Sequence, residues 1–301
     1  NDTIPAKEVW RVSEDGELRD PFKKLTTVFQ MSEEIFFLHY GKDGCNRHVL
    51  IDECRELFGE IYEQIPELPF CNIWTAMQLS SRLPKGALFH MGVSNTRRCW
   101  NMFQLPESVE SACNVGCCGI DGCVSTLVGA SLVNPDRLCY VVVGDLTFFY
   151  DLNSLGNHHI GTNLRVMLVN NGRGTEFRLG IHHCNVFGDD ADKYMAAAGH
   201  FGNKSPLLVK HYAEDLGFHY LSATTKEEFM TALSNFTNPQ LSDHSMILEV
   251  FTDSKDESEA LYLMSHIQSD AKGMVRSKLK DAVRNVAGEK GINAIKKILK
   301  K

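Results

Sequence analysis

The sequence predicts an α/β fold: a mostly parallel, doubly wound sheet with helices on both faces, over about residues 85–255. Three observations predict it. Leu138–Val143 is a short apolar run and Leu164–Val169 a mostly apolar one, both rich in β-branched residues. The crossover between them has the length that a parallel βαβ unit requires. The first run ends in Gly144-Asp145 and the second in Asn170-Asn171-Gly172-Arg173-Gly174. In a parallel unit both strands open on the same edge of the sheet, where ligands bind in open α/β folds.

In chain order, Glu8–Val12 alternates as a strand does, and Glu14-Asp15-Gly16-Glu17 predicts a hairpin-type turn before a second partly apolar stretch, Leu25–Phe29. Residues 1–45 are too short for a core of their own and are expected to be the tail of a preceding domain, followed by a linker at Gly41–Asn46. Leu50, Cys54, Leu57, Phe58 and Ile61 recur at helical spacing, Pro66 and Pro69 interrupt it, and Ile73–Leu83 predicts another helix. Ala87–Met91 is the first core strand. It runs into Gly92-Val93-Ser94-Asn95-Thr96-Arg97-Arg98, either a turn that meets an anion or a surface loop with an arginine pair. The glycines of Asn114–Gly122 allow close approach of backbone to a ligand, or equally tight packing under the helix that follows from Cys123. Beyond the central unit, Arg178–Asp190 reads as a loop. Asp192–Ala198 and Leu207–Leu216 read as helices and Phe218–Leu221 as a strand. Thr225–Phe236 is a helix with a capping signal, Thr225-Lys226-Glu227-Glu228, and Ser245–Val250 is the last core strand. Residues 256–301 form a helical extension with ten Lys or Arg after 271. It is either a solvated or partner-facing helix, or one that touches an anionic membrane surface.

The chain has 301 residues, enough for one large α/β domain or one domain plus part of another. A net charge of −7 argues against general nucleic-acid binding. No apolar run reaches transmembrane length, no secretory signal opens the chain, and it begins at Asn1 as already folded sequence. We therefore expect a piece of a longer cytoplasmic protein. Its ten cysteines include Cys113, Cys117, Cys118 and Cys123 close together but without Cys-x-x-Cys spacing, which favours reduced, buried thiols over zinc or disulfides. The adjacent pairs His158-His159 and His182-His183 point apart and make no metal site alone.

Asp145 and Asn171, each just past a strand, provide one carboxylate and one amide oxygen. Such hard ligands suit Mg²⁺, which keeps few protein ligands and takes the rest from phosphate and water. Gly-Asp alone, or Asn-Asn alone, is as readily a turn. Both together, with 24 residues between Asp145 and Asn170, are more specific.

Gly92–Arg98, Asn114–Gly122, Gly144-Asp145-Leu146-Thr147 and Asn170-Asn171 occur in an order and register that resemble the thiamine diphosphate-dependent enzymes. Gly-Asp-Leu is similar to the MenD (SEPHCHC synthase) branch more than to the decarboxylases. The close match covers about 85–180. The resemblance implies a cofactor-diphosphate domain at 46–255, with 1–45 the end of a central domain. It implies Mg²⁺ at Asp145, Asn171 and the Arg173 carbonyl. Ser94, Gly119, Ile120, Gly144, Leu146, Thr147, Gly174 and Thr175 would approach thiamine diphosphate, with Ile120 wedged beneath it. Arg98, Glu176 and Phe177 would stand nearest the reacting centre. Two positions depart from the family pattern: Val115 replaces an arginine that holds the oxo-acid carboxylate, and Glu176 replaces an apolar residue. Both changes disfavour a dicarboxylic donor such as 2-oxoglutarate. The implied activity is decarboxylation of a 2-oxo acid and transfer of its acyl unit to an acceptor. An acetolactate-synthase-like protein, a 2-oxo acid decarboxylase and a non-catalytic α/β module remain alternatives. The implied partners are a pyrimidine-binding domain, whose glutamate activates the cofactor, and further subunits in a homodimer or tetramer.

Overall fold

The computed structural model describes residues 6–41, 49–116, 119–180, 182–194 and 204–267. The basic stretch 271–301, with its expected membrane contact, lies outside the described residues, as does most of the expected linker at 41–46. The chain divides into two compact units, Asn1–Tyr62 and Glu63–Lys301.

In the first unit, β1 (Val9–Val12) and β2 (Leu25–Phe29) form a two-stranded sheet, followed by α1 (Glu33–Tyr40) and α2 (Val49–Glu63). Ser32 caps α1 by accepting from the Ile35 N–H at 3.3 Å. Phe29, Phe36 and Tyr40 pack edge to face or tilted at 4.8–5.7 Å between ring centroids. The expected hairpin is overturned: β1 and β2 are parallel. A tight turn reverses the chain and can only join antiparallel strands. The turn at Glu14–Asp15 instead begins a longer return, braced by Arg11, which donates to Asp15 and to the Glu17 carbonyl.

The second unit has α3 (Asn72–Leu79), β3 (Leu88–Met91), α4 (Asn95–Trp100), β4 (Glu110–Cys113), α5 (Cys123–Val133), β5 (Cys139–Gly144), α6 (Asp145–Tyr150) and β6 (Leu164–Asn170). It continues with α7 (Ala191–Tyr194), α8 (Leu208–Asp215), β7 (His219–Ala223), α9 (Lys226–Phe236), β8 (Met246–Phe251) and α10 (Ser254–Ser265). The six strands are all parallel, in the order β4-β3-β5-β6-β8-β7.

The alternation along β5 and β6 shows why these runs are mostly apolar, with Arg165 the exception. Cys139, Val141, Val143, Leu164, Val166 and Leu168 pack with residues of α5, α6 and α8. Tyr140, Val142, Met167 and Val169 pack on the other face with residues of α3, α4, α9 and α10. A strand covered on both faces has no solvent side to mark with polar residues. Each such Val or Leu is worth roughly 1.5–3 kcal/mol relative to exposure.

Three segments differ from the sequence reading. Residues 95–100, read within a turn, form α4, whose Cys99 and Trp100 are buried. The strand β4 was missed because its residues, Glu-Ser-Ala-Cys, are mostly exposed at the sheet edge. The expected loop 178–190 contains a 3-10 segment, His183–Asp190, kinked at Gly188. Elsewhere the described residues carry the expected elements; residues 195–198 of the helix expected at 192–198, and the helical extension beyond 267, lie outside them. Thr225 caps α9 as predicted, and Glu228 reaches back to the N–H and hydroxyl of Thr224 at 2.7 Å each.

Candidate functional site

The strand order sets the place of a crevice. From β3 the chain steps outward to β4, then returns to lay β5 on the other side of β3. Of the segments leaving these two strands, α4 packs on one face with Trp100 and α6 on the other with Phe148. The chain therefore parts above the carboxyl ends of β3 and β5, the usual ligand position in open α/β sheets. A cleft is found there, lined by Val93, Ser94, Asn95 and Thr96 after β3, Gly144–Thr147 from the end of β5, and Val169, Asn171 and Arg173–Glu176 at and after the end of β6, with Asn72 and Ile120 completing it.

The register pairs Gly144 with Val169, so Asp145 and Asn170 stand level at this edge and Asn171 lies one residue beyond. Asp145 is only 3 % exposed, and its Oδ1 accepts from the Leu146 N–H at 2.8 Å. Asn171 Oδ1 accepts from the Arg173 N–H at 3.3 Å, and the Arg173 carbonyl accepts from the Thr175 N–H at 3.0 Å. Each of these oxygens has a second lone pair. Asn170 does not face the cleft. Its amide donates to Glu249 at 2.7 Å, and its Oδ1 accepts from the Gly172 N–H at 3.2 Å, which shapes the turn that presents Asn171. Burial pushes the Glu249 carboxyl up; the Asn170 amide and the Tyr220 hydroxyl pull it back, and the nearby Asp145 charge adds to the rise.

Two features mark this edge as built for a ligand. Ser94 holds φ +60°, a left-handed conformation that a non-glycine residue adopts at a cost of order 1–3 kcal/mol. The Thr175 hydroxyl is buried without a hydrogen-bond partner. At Gly144 an added Cβ would meet no protein atom within 4 Å, so the space beside it belongs to the cleft. Among the described residues no group of three His, Cys, Asp or Glu side chains could hold a metal alone. The donor set is one carboxylate with amide and carbonyl oxygens. That set fits a divalent cation which shares its coordination with a diphosphate.

Of the sequence-predicted residues, the cleft brings together Ser94, Ile120, Gly144, Asp145, Leu146, Thr147, Asn171, Arg173, Gly174, Thr175 and Glu176. Arg98, Phe177, Gly119 and Val115 are not part of its lining. Gly119 and Val115 are exposed. Phe177 packs edge to face on His182, with ring centroids 5.3 Å apart. Arg98 donates through both terminal nitrogens to Glu176, at 2.8 and 2.9 Å.

Sequence reading missed Asn72 and the group behind it. Glu257, on α10, accepts from the Asn72 N–H at 3.0 Å and from the Thr252 hydroxyl at 2.9 Å. Asn72 Oδ1 in turn accepts from the Trp100 indole at 3.0 Å. Burial pushes the Glu257 carboxyl up to about 7, against the pull of those two donors and with added repulsion from Asp145 and Asp256. No local signal joins Asn72 and Glu257, which are 185 residues apart in sequence.

No family model matches the chain. Curated relatives do. Proteins named 2-succinyl-5-enolpyruvyl-6-hydroxy-3-cyclohexene-1-carboxylate synthase from Bacteroides fragilis, Phocaeicola vulgatus and Bacteroides thetaiotaomicron are 34 %, 32 % and 32 % identical to it, in each case over 85 % of this chain. The chain spans less than half of their length, 45 %, 44 % and 44 %.

Proposed function

The chain is homologous to the SEPHCHC (MenD-type) synthases, and we propose that it is the diphosphate-binding part of a Mg²⁺- and thiamine diphosphate-dependent carboligase of that kind. The observation that carries this reading is the meeting of Asp145, after β5, and Asn171, after β6, in one cleft above the sheet. In this reading Asp145, Asn171 and the Arg173 carbonyl hold the metal. The Leu146–Thr147 and Gly174–Thr175 backbones and the Thr175 hydroxyl face the diphosphate, and Ile120 supports the cofactor from below. Thiamine diphosphate supplies, when bound, the carbon nucleophile and electron sink for decarboxylating a 2-oxo acid and passing on its acyl unit. Residues 46–255 then form the cofactor-diphosphate domain and 1–45 the end of a central domain. Ser94 borders the reacting region.

A pyrimidine-binding domain of a longer chain would supply the activating glutamate, across a homodimer or tetramer interface. The 301 residues alone would therefore bind cofactor without turning it over. The protein would be cytoplasmic and would bind no nucleic acid; no described helix is long and apolar enough to cross a membrane. Calorimetric titration of thiamine diphosphate into the full-length protein tests the reading. Binding that requires Mg²⁺ and is lost in EDTA is expected; absence of binding under both conditions overturns it. Turnover by the isolated 301 residues would overturn the need for the glutamate.

A further inference from the structure

We propose that Asn72 is a cofactor-binding residue of the cleft: its side-chain amide donates to a phosphate oxygen of the diphosphate, and Trp100 and Glu257 hold it in place to do so. The proposal rests on reading the cleft as a diphosphate site, and it adds a residue from α3, which carries none of the strand-end motifs. Asn72 is the first residue of α3, is only 2 % exposed, and lines the cleft. Three of its four polar groups are closed within the protein. Its N–H donates to Glu257 Oε1 at 3.0 Å, its carbonyl accepts from the Thr75 hydroxyl at 2.8 Å, and its Oδ1 accepts from the Trp100 indole at 3.0 Å. The remaining group, the side-chain Nδ2, has no acceptor among the described residues.

Chemistry fixes which way that amide is turned. An indole N–H only donates, so the atom facing Trp100 must be the oxygen, and Nδ2 takes the other branch. Trp100 is itself buried and packs on Phe89, with ring centroids 5.0 Å apart. Glu257 holds the backbone of Asn72 and is bonded in turn by the Thr252 hydroxyl at 2.9 Å. Its helix, α10, packs on both α3 and the 3-10 segment Thr175–Arg178. A buried amide closed on three sides loses free energy unless something accepts from the fourth. An NH₂ group cannot ligate a cation, so Asn72 does not duplicate Asp145 and Asn171. It needs an acceptor. A metal-bound diphosphate calls for both kinds of group: oxygens for its cation, and donors for its phosphate oxygens. The Thr175 hydroxyl, buried without a partner in the same cleft, is a second such donor. Burial pushes the Glu257 carboxyl up to about 7, which lessens the negative charge behind a site for an anion.

The test is calorimetric titration of thiamine diphosphate, with Mg²⁺, into the full-length protein and its variants. Asn72→Asp keeps the size and the acceptor for Trp100 but replaces the donor with an oxygen. Affinity should fall about tenfold or more, since a hydrogen bond to a charged group is lost. Asn72→Ala also removes the acceptor for Trp100, yet should lose no more affinity than Asn72→Asp. If Asn72 only joined α3 to Trp100, the order would reverse, with Asn72→Asp near the parent and Asn72→Ala well below it. That order, or unchanged affinity in Asn72→Asp, overturns the proposal. Glu257→Gln keeps an oxygen for the Asn72 N–H and should keep the affinity, whereas Glu257→Leu should lose it several-fold; equal affinity in Glu257→Leu overturns the holding role of Glu257. A crystal structure of the unaltered full-length protein with Mg²⁺ and thiamine diphosphate decides even if a variant does not fold. Asn72 Nδ2 should lie within about 3.2 Å of a phosphate oxygen, and a separation beyond hydrogen-bond reach overturns the assignment. If the unaltered protein binds no thiamine diphosphate with or without Mg²⁺, the diphosphate reading itself fails. If it binds, and Asn72→Asp binds equally, that reading stands and the role of Asn72 falls.

Discussion

At the amino edge of the sheet, the Asn163 amide nitrogen lies 3.0–3.1 Å from the carbonyls of Ser131, Asn134 and Arg137. Ser245 donates to the Gly161 carbonyl at 2.8 Å and accepts from the Leu164 N–H at 3.0 Å. Arg165, fully buried, donates through its terminal nitrogens to the carbonyls of Thr162 and Leu164 and to the Ser242 hydroxyl, while its Nε has no partner. At the carboxyl edge the same kinds of group are buried to a different end. The Thr175 hydroxyl has no partner, Ser94 is strained, and amide and carboxylate oxygens converge on open space. Both edges bury polar atoms, so burial alone does not distinguish scaffold from site. What differs is where the polar atoms face: at the amino edge they close on the protein, the Arg165 Nε excepted, and at the carboxyl edge they line a cleft that a ligand can use.

That contrast can be broken by experiment. The largest effect is expected from Asp145→Ala, which removes the only carboxylate of the proposed metal site. Mg²⁺-dependent affinity for thiamine diphosphate should fall by about 100-fold or more, to undetectable in calorimetry, with little change in unfolding midpoint. Unchanged affinity would refute the metal assignment. Asn163→Ala should do the reverse, lowering stability by about 3 kcal/mol through its stranded carbonyls and leaving cofactor affinity in the folded protein intact. Urea unfolding measures the first and calorimetry the second. A variant as stable as the parent would show that the amino edge is not the brace it looks to be.

Glu257 tests the supporting group behind the cleft. Its carboxyl is held near 7 in the folded protein, against 4.5 for the ordinary group. The folded state thus binds this proton more tightly than the unfolded chain, and stability from this residue falls as pH rises from about 4.5 to about 7. Glu257→Gln should flatten that part of the stability–pH curve and raise stability at pH 8 by about 2 kcal/mol. A variant curve that falls as steeply as the parent's would show that another group titrates. Thr175→Val is the finest probe. If the hydroxyl serves a ligand, the cofactor-free protein should keep or gain about 1 kcal/mol while cofactor affinity drops several-fold. Equal affinity in both proteins would assign Thr175 to the scaffold.

The parts of this protein that were legible in sequence are those governed by short-range rules. The runs at 138–143 and 164–169 could be read because a strand buried on both faces is mostly apolar, Arg165 being the one charged residue in them. The turn residues that end them could be read because parallel strands place their ends on one edge. Asp145 and Asn171 followed from that placement, and Thr175 from the family resemblance. β4 was not legible, because an exposed edge strand carries no apolar pattern and exists by pairing with β3. The parallel pairing of β1 with β2 was hidden for a similar reason: a turn motif says that the chain bends, not where it returns.

The sequence by itself therefore determined the α/β class, the central βαβ unit and the oxygen-bearing residues at its strand ends, because each depends on local periodicity and spacing. Only the tertiary structure decided that Arg98 is taken by Glu176, that Glu257 stands behind Asn72, and that the strand order reverses between β3 and β5. Those contacts join residues far apart in the chain. Whether a charge is free or paired depends on which neighbour folding brings to it, and no spacing rule encodes that.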